Sequence, residues 1–278
     1  FYGEVIMFIL GIGEAGKNIG SLVGQISNLK AFPVDAGTKV PIKSTHEEYE
    51  ECGPSVAKKL RLPKDKDVAV VVCGAGKVSG ITLSLLERLK DRNITVFYIQ
   101  PDPFVLSKTQ KLQNKVVFNV LQQYARSGLL KSMYIFSNKN IESIVGASSI
   151  SNMYEKINVT IANYIATLNW FENTKPIIGS THEPKEISRI RTISLSEVDD
   201  DTEKLFYDLE NITESSFYYS VSKEFIENEE NFLTRIKERV ILYEERDIEC
   251  SFGVWQNESD VSYIYSTKYT HFIQQEVT

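Results

Sequence analysis

Twice in its amino-terminal third, the sequence runs a continuous apolar stretch straight into a glycine-rich segment that opens a helical pattern. Val68-Ala-Val-Val-Val-Cys73 has no polar position to turn toward water, so it reads as a strand buried on both faces, the habit of parallel sheets covered by helices. It enters Gly74-Ala-Gly-Lys-Val-Ser-Gly80, after which Leu83, Leu86 and Leu89 recur at helical spacing. Val5 to Leu10 does the same, entering Gly11-Ile-Gly-Glu-Ala-Gly-Lys-Asn18, with Ile19, Leu22, Val23 and Ile26 carrying a helix over Lys17 to Leu29. Two such units restrict the chain to an α/β architecture.

The remaining pattern agrees. Strands are expected at Ala31–Val34, Thr38–Ile42, Ile94–Ile99 and Ser132–Phe136, and helices at Ser55–Leu60 and Lys108–Tyr124, with a polar stretch from Lys43 to Gly53. Such alternation implies a Rossmann-like, mostly parallel, doubly wound sheet. Tyr154, Ile157, Ile161, Ile165 and Leu168 mark a long helix over Ser151 to Phe171, which would span about 30 Å. After Pro176 the character changes to strands at Ile190–Leu195 and Phe217–Val221, an acidic run at Asp199–Asp201 and a charged helix over Glu224–Val240. Cys250–Trp255 and Ser262–Phe272 then read as a terminal antiparallel pair. The expected organisation is a nucleotide-binding domain over 1–150, a connecting helix over 151–175 and a smaller α+β domain over 176–278.

Composition narrows the function. The 278 residues, 42% of them apolar, suffice for a substantial core. A net charge of −6 argues against a generalised nucleic-acid binder, which needs a basic face to neutralise phosphates. No apolar run approaches the roughly 18 residues of a membrane span. Phe1 to Leu10 lacks the basic flank and cleavage site of a signal peptide, so the cytoplasm is the expected compartment. Cys52, Cys73 and Cys250 are odd in number and far apart, the pattern of reduced thiols. Met7 is a candidate initiator, which would set residues 1–6 ahead of the native start.

A helix that begins directly after a buried strand aims unpaired N–H groups and its positive dipole end at one spot, and glycines let a phosphate come close. The first segment alone fits three patterns. Gly11-x-Gly13-x-x-Gly16, with Asp35 at the end of the second strand, suits a dinucleotide such as NAD. Gly11 to Asn18 nearly satisfies GxxxxGK[ST], but Asn18 replaces the Mg²⁺-binding hydroxyl and Val68–Cys73 offers no aspartate. The third reading uses both segments, because two loops on neighbouring units can clamp a triphosphate from two sides.

In this the sequence resembles the tubulin/FtsZ superfamily, whose loops of the form GxGGGGxN and GGGTGTG grip a nucleotide. Gly11, Gly13, Gly16 and Asn18 fall on the first pattern, and Gly74, Gly76, Ser79 and Gly80 on the second. Lys77 and Val78 replace a threonine and a glycine, and Glu14 adds a carboxylate to the first loop; Lys77 either binds phosphate or is simply solvated. Pro103 to Lys111 looks like the family's PFxFEGxxR segment, with Ser107 in place of its ribose-binding Glu and Lys111 keeping the basic end. Tyr154 and Asn158 match the aromatic and the Asn/Asp that meet guanine. Tyr134 to Asn138 is similar to the strand and turn before the central helix, and Asp247 to Gly253 with Ser262 to Phe272 to the closing strands, so the resemblance is nearly end to end.

The resemblance implies a GTP/GDP-binding protein, with Mg²⁺ as a further ligand, that assembles head to tail with copies of itself. In this family an acidic residue from the loop after the central helix enters the next subunit's site and orients water. Here that stretch is Lys175 to Glu186 without the usual Asn and Asp, leaving Glu183, Glu186 and His182 as candidates and implying slow, polymer-dependent hydrolysis. A relative that has lost hydrolysis and serves as a structural or assembly partner stays open beside it, as does an NAD-binding Rossmann protein. The sequence ends at the last expected strand, so an adaptor-binding tail is either missing or lies outside it.

Overall fold

The computed structural model describes residues 7–27, 29–146, 149–198, 202–259 and 261–275. Residues 1–6 and the acidic run Asp199–Asp201 lie outside the described residues. β1 (Met7–Ile12), α1 (Gly13–Ser27), β2 (Lys30–Val34), α2 (His46–Lys59), β3 (Asp67–Cys73), α3 (Thr82–Leu89) and β4 (Asn93–Gln100) alternate, followed by α4 (Lys108–Arg126) and β5 (Ser132–Ser137). Parallel pairing in the order β2-β1-β3-β4-β5 buries every residue from Val68 to Val72 in the centre of the sheet. One core lies on each face: Leu10, Val70 and Tyr98 pack with Leu85, Leu86 and Phe118 on one side. Ile9, Val71 and Phe136 pack with Ile19, Val23, Ile157 and Ile161 on the other.

α5 (Asn138–Val145) and the long α6 (Ile150–Asn173) lead to β6 (Ile178–Ser180) and β7 (Ile190–Glu197). β7 joins the parallel sheet through the short pairing of Met133 with Ile190 and Tyr134 with Arg191. The sheet then continues as β7-β11-β9-β10-β6, where β9 is Glu214–Ser222, β10 Glu249–Asn257 and β11 Tyr263–Thr270; the short β8 (Lys204–Leu205) pairs with β7. α7 (Lys223–Asn228) and α8 (Phe232–Glu244) connect β9 to β10. The whole is an 11-stranded, mostly parallel α/β sheet.

Several local expectations are corrected. α1 begins at Gly13 rather than Lys17, because the glycine segment forms the first helical turn. Thr38–Ile42 contributes only the single bridge Ala36–Val40. The polar stretch before Ser55 is helical from His46: the Thr45 hydroxyl accepts the Glu48 N–H as a cap, and the helix continues through Gly53-Pro54. The charged helix after Glu224 is two helices, divided at residues 229–231. β10 and β11 are not paired with each other, because the fully buried β9 lies between them. The return through α7 and α8 makes β10 parallel to β9, whereas β11 runs antiparallel to both β9 and β7.

Candidate functional site

In an open α/β sheet, ligands bind outside the carboxyl ends of the strands where the strand order reverses direction. Here β2 lies on one side of β1 and β3 on the other, so the reversal falls between the ends of β1 and β3. Both glycine segments start there. Gly11 and Gly16 touch through backbone alone: a Cβ on Gly11 would lie 2.2 Å from the Gly16 carbonyl oxygen, and one on Gly16 would lie 2.4 Å from that of Val71. Gly13 has a φ of +71°, and a Cβ there would face Val78 Cβ at 3.7 Å, so the two segments are immediate neighbours.

Side chains brace the second segment from below. The Ser79 hydroxyl is placed to donate to the carbonyls of Gly74 (3.0 Å) and Gly76 (2.6 Å), and Gln113 on α4 donates its amide to the same two oxygens at 2.8 and 3.0 Å. Tyr98 from β4 donates to Asn114 Oδ1 at 2.6 Å under Gly74, where a Cβ would meet the Tyr98 hydroxyl at 2.2 Å. Gly80 is pressed just as closely against the backbone of α2. Close packing therefore already requires Gly11, Gly16, Gly74 and Gly80. Gly76 differs, since it is exposed with φ −74° and a Cβ there would meet only the Cys73 carbonyl, at 3.4 Å.

The rim of this edge carries exposed lysines beside the exposed Glu14. Lys77, Lys108 and Lys111 are exposed and belong to no ion pair among the described residues. Lys17 donates to Asp35 Oδ2 at 2.7 Å, and this hydrogen-bonded carboxylate raises the lysine pKa. The other Asp35 oxygen accepts the Ala36 N–H. The carboxylate expected for a dinucleotide ribose is thus engaged within the protein. Ser107 is engaged too: its hydroxyl accepts the Gln110 N–H while the Gln110 side chain accepts the Ser107 N–H, a capping box that starts α4. Glu14 and Asn18 are exposed on the first turns of α1.

α6 packs on α1 through Ile157 and Ile161 against Ile19 and Val23. Tyr154 is 53% exposed on its amino-terminal half, with Asn158 half-buried one turn further on. Among the described residues no three His, Cys, Asp or Glu side chains gather as a metal cage. A Mg²⁺ ion held here would depend on phosphate oxygens for much of its coordination.

His182, Glu183 and Glu186 are elsewhere. Their segment leads into β7, whose first residues pair with the start of β5, and it contacts Glu214 and Glu249 at the starts of β9 and β10. Those starts form the amino-terminal edge of the parallel strands, opposite the glycine segments. Within this segment His182 Nε2 lies 3.8 Å from Glu249 and Lys185 2.7 Å from it, Glu186 pairs with Arg189 at 2.9 Å, and Glu183 is exposed. The structure therefore gathers the glycines, Lys77 and Ser79 at one edge and sets these three residues at the other.

Gln113, Tyr98 and Asn114 were not legible as site-bracing residues, because no spacing rule marks a side chain that serves another element's carbonyls. The Lys17–Asp35 pair had a signal, since Asp35 directly follows β2 and Lys17 lies in the first turns of the helix that follows the neighbouring β1.

No family model matches the sequence, and no curated protein matches it. Solved structures do. CetZ2 from Haloferax volcanii, a GTPγS-bound protofilament, aligns over 94% of this chain and 92% of its own at 15% identity and TM-score 0.71. An empty FtsZ dimer from M. jannaschii aligns over 95% and 88% at 12% identity and TM-score 0.69. A GTPγS-form protofilament of TubZ from Bacillus thuringiensis serovar israelensis aligns over 95% and 86% at 11% identity and TM-score 0.71. With glycine segments at the strand-order reversal, a long helix behind them and this end-to-end likeness, the chain has the tubulin/FtsZ-like fold.

Proposed function

We propose that this chain is a guanine-nucleotide-binding protein that assembles head to tail into filaments and hydrolyses GTP slowly, only when assembled. The observation that carries the reading is the separation of the two halves of the candidate site. Backbone N–H groups at the start of α1 and of the 3₁₀ turn Lys77–Ile81, with three lysines unpaired among the described residues, suit a polyphosphate at one edge. The exposed Glu183 belongs to the opposite edge, so the two can meet only between copies. Gly11, Gly13, Gly16, Asn18, Gly74, Gly76, Ser79 and Gly80 would line the phosphates, Lys77 and Lys111 would offset their charge, and Tyr154 and Asn158 would meet the base.

Support also comes from the filament, dimer and GTPγS states of the similar structures. The division into 1–150, 151–175 and 176–278 is retained as part of this proposal, as is a cytoplasmic location; no described helix is long and apolar enough to cross a membrane.

The test is identification of nucleotide in the purified protein, followed by sedimentation with GTP, GDP or neither. GTP-dependent pelleting with phosphate release that rises with the pelleted fraction is expected. Rapid hydrolysis by dilute monomer contradicts the reading. A second reading, a non-hydrolysing structural relative, is favoured by one group of observations: Glu14 stands at the opening of α1, and Lys17 and Ser107 are both committed to partners within the chain. Calorimetry with no heat for GTP or GDP selects it.

A further inference from the structure

We propose that Glu214 and Glu249 are positioning residues that hold segment 182–188 so that Glu183 is its one unengaged carboxylate, a role resting on the assembly-dependent hydrolysis proposed above. Glu214 opens β9 and is 1% exposed. One carboxylate oxygen accepts the Lys185 backbone N–H at 2.9 Å, and the other accepts the Ser188 hydroxyl at short range. No cation stands within ion-pair distance of it among the described residues. Its hydrogen bonds therefore go to this segment.

Glu249 is the register partner of Glu214 on β10. It takes Lys185 Nζ at 2.7 Å on one oxygen and faces His182 Nε2 at 3.8 Å with the other, and the Lys185 ammonium holds its pKa down. Lys185 is thus gripped twice, by its backbone from β9 and by its side chain from β10. Downstream, Glu186 is tied to Arg189 at 2.9 Å, and Arg189 is itself anchored on the Leu130 carbonyl at 2.9 Å. Lys185, Glu186 and Ser188 are engaged and His182 faces Glu249, whereas Glu183 makes no hydrogen bond or ion pair among the described residues.

A buried carboxylate is an expensive way to fasten a surface segment. Burying such a charge carries a large desolvation cost, and an apolar residue of similar volume would often serve stability as well. What the carboxylate adds is directional: two oxygens accept two donors spaced three residues apart and so set the path of the chain between them. Glu183 stands two residues ahead of that fixed stretch, at the edge that a head-to-tail neighbour's glycine segments would face.

The experiment compares wild type with Glu214→Gln, Ser188→Ala and the double variant. Gln keeps an acceptor for the Lys185 N–H and can donate its amide to the Ser188 hydroxyl oxygen, so it loosens the grip by removing the carboxylate's charge without emptying the site. The readouts are calorimetric GTP affinity, critical concentration, turnover per pelleted subunit and hydrogen exchange of the Lys185 amide. Expected are unchanged affinity and critical concentration, faster Lys185 exchange, and turnover lowered about tenfold or more in Glu214→Gln. Ser188→Ala should add little on top, because both act through one grip. Full turnover in Glu214→Gln despite faster exchange overturns the proposal, and so does a wild-type polymer with no turnover. If wild type binds no guanine nucleotide, the proposed function itself falls, and this role with it.

Discussion

Lys268 gives the most quantitative test of how this fold is held together. It lies on β11, 1% exposed, and its ammonium donates to Glu203 at 2.9 Å, Ser215 at 3.0 Å and Tyr243 at 2.8 Å while facing the rings of Phe217 and Tyr243. Burial outweighs the Glu203 attraction and lowers its pKa from 10.5 to about 8, with Cys250 raising it and Arg239 lowering it. A group whose folded pKa is depressed in this way binds its proton more weakly folded than unfolded. Stability should therefore rise with pH between about 8 and 10.5.

A displacement of that size corresponds to about 3 kcal/mol, of which about 2 kcal/mol falls between pH 7 and pH 10. The Cys250 thiol, pushed up to about 12 by burial, opposes this from pH 9 upward, so the comparison is made in a Cys250→Ala background. Lys268→Met removes the titrating group and leaves the Glu203 carboxylate bonded to the Tyr243 hydroxyl. Urea denaturation at pH 7, 8, 9 and 10 should show the stability difference between parent and variant moving by about 2 kcal/mol in favour of the parent. A difference that stays constant across this range would mean that Lys268 titrates alike in both states, and the reasoning from its burial would be wrong.

Three further outcomes follow from the site. Gly76→Ala should leave the melting curve nearly unchanged, because its backbone angle and space admit a methyl, yet weaken GTP binding if phosphate approaches there; Gly74→Ala should cost about 2 kcal/mol or more of stability through the Tyr98 contact. Calorimetry on a Lys77→Ala and Lys111→Ala pair should show nucleotide affinity down about tenfold and a shallower salt dependence, whereas unchanged affinity at low salt would mean that both lysines are merely solvated. Phe104, 92% exposed just past the carboxyl end of β4, should act as an assembly contact. Its replacement by Ser is expected to raise the critical concentration several-fold while nucleotide binding and circular dichroism hold; equal assembly removes it from the interface.

The sequence alone determined the parallel sheet, the paired glycine segments and the long helix. Each is written in a local signal: a fully apolar run, a break in side-chain volume, a period of three to four residues. The likeness to tubulin/FtsZ was legible for the same reason, since it rests on the order of those signals. Local signals failed where partners are distant. Nothing between Cys250 and Phe272 announces that β9 will separate β10 from β11, because strand order is set by the α7–α8 crossover and by the complete burial of β9. The glycines of the first segment read as a loop, whereas Gly11 stands in β1 in backbone contact with Gly16, and Gly13 and Gly16 form the opening turn of α1.

Roles at the site divide in the same way. Residue type nominated His182, Glu183 and Glu186 together, but tertiary contacts separate them: Glu249 faces the first, Arg189 engages the third, and Glu183 has no partner among the described residues. Tertiary structure alone decided that Lys17 answers Asp35, that Ser107 caps a helix, and that Gln113 braces a loop nearly forty residues upstream. A side chain's chemistry is fixed by its type, whereas its availability depends on which partner the fold brings within about 3 Å.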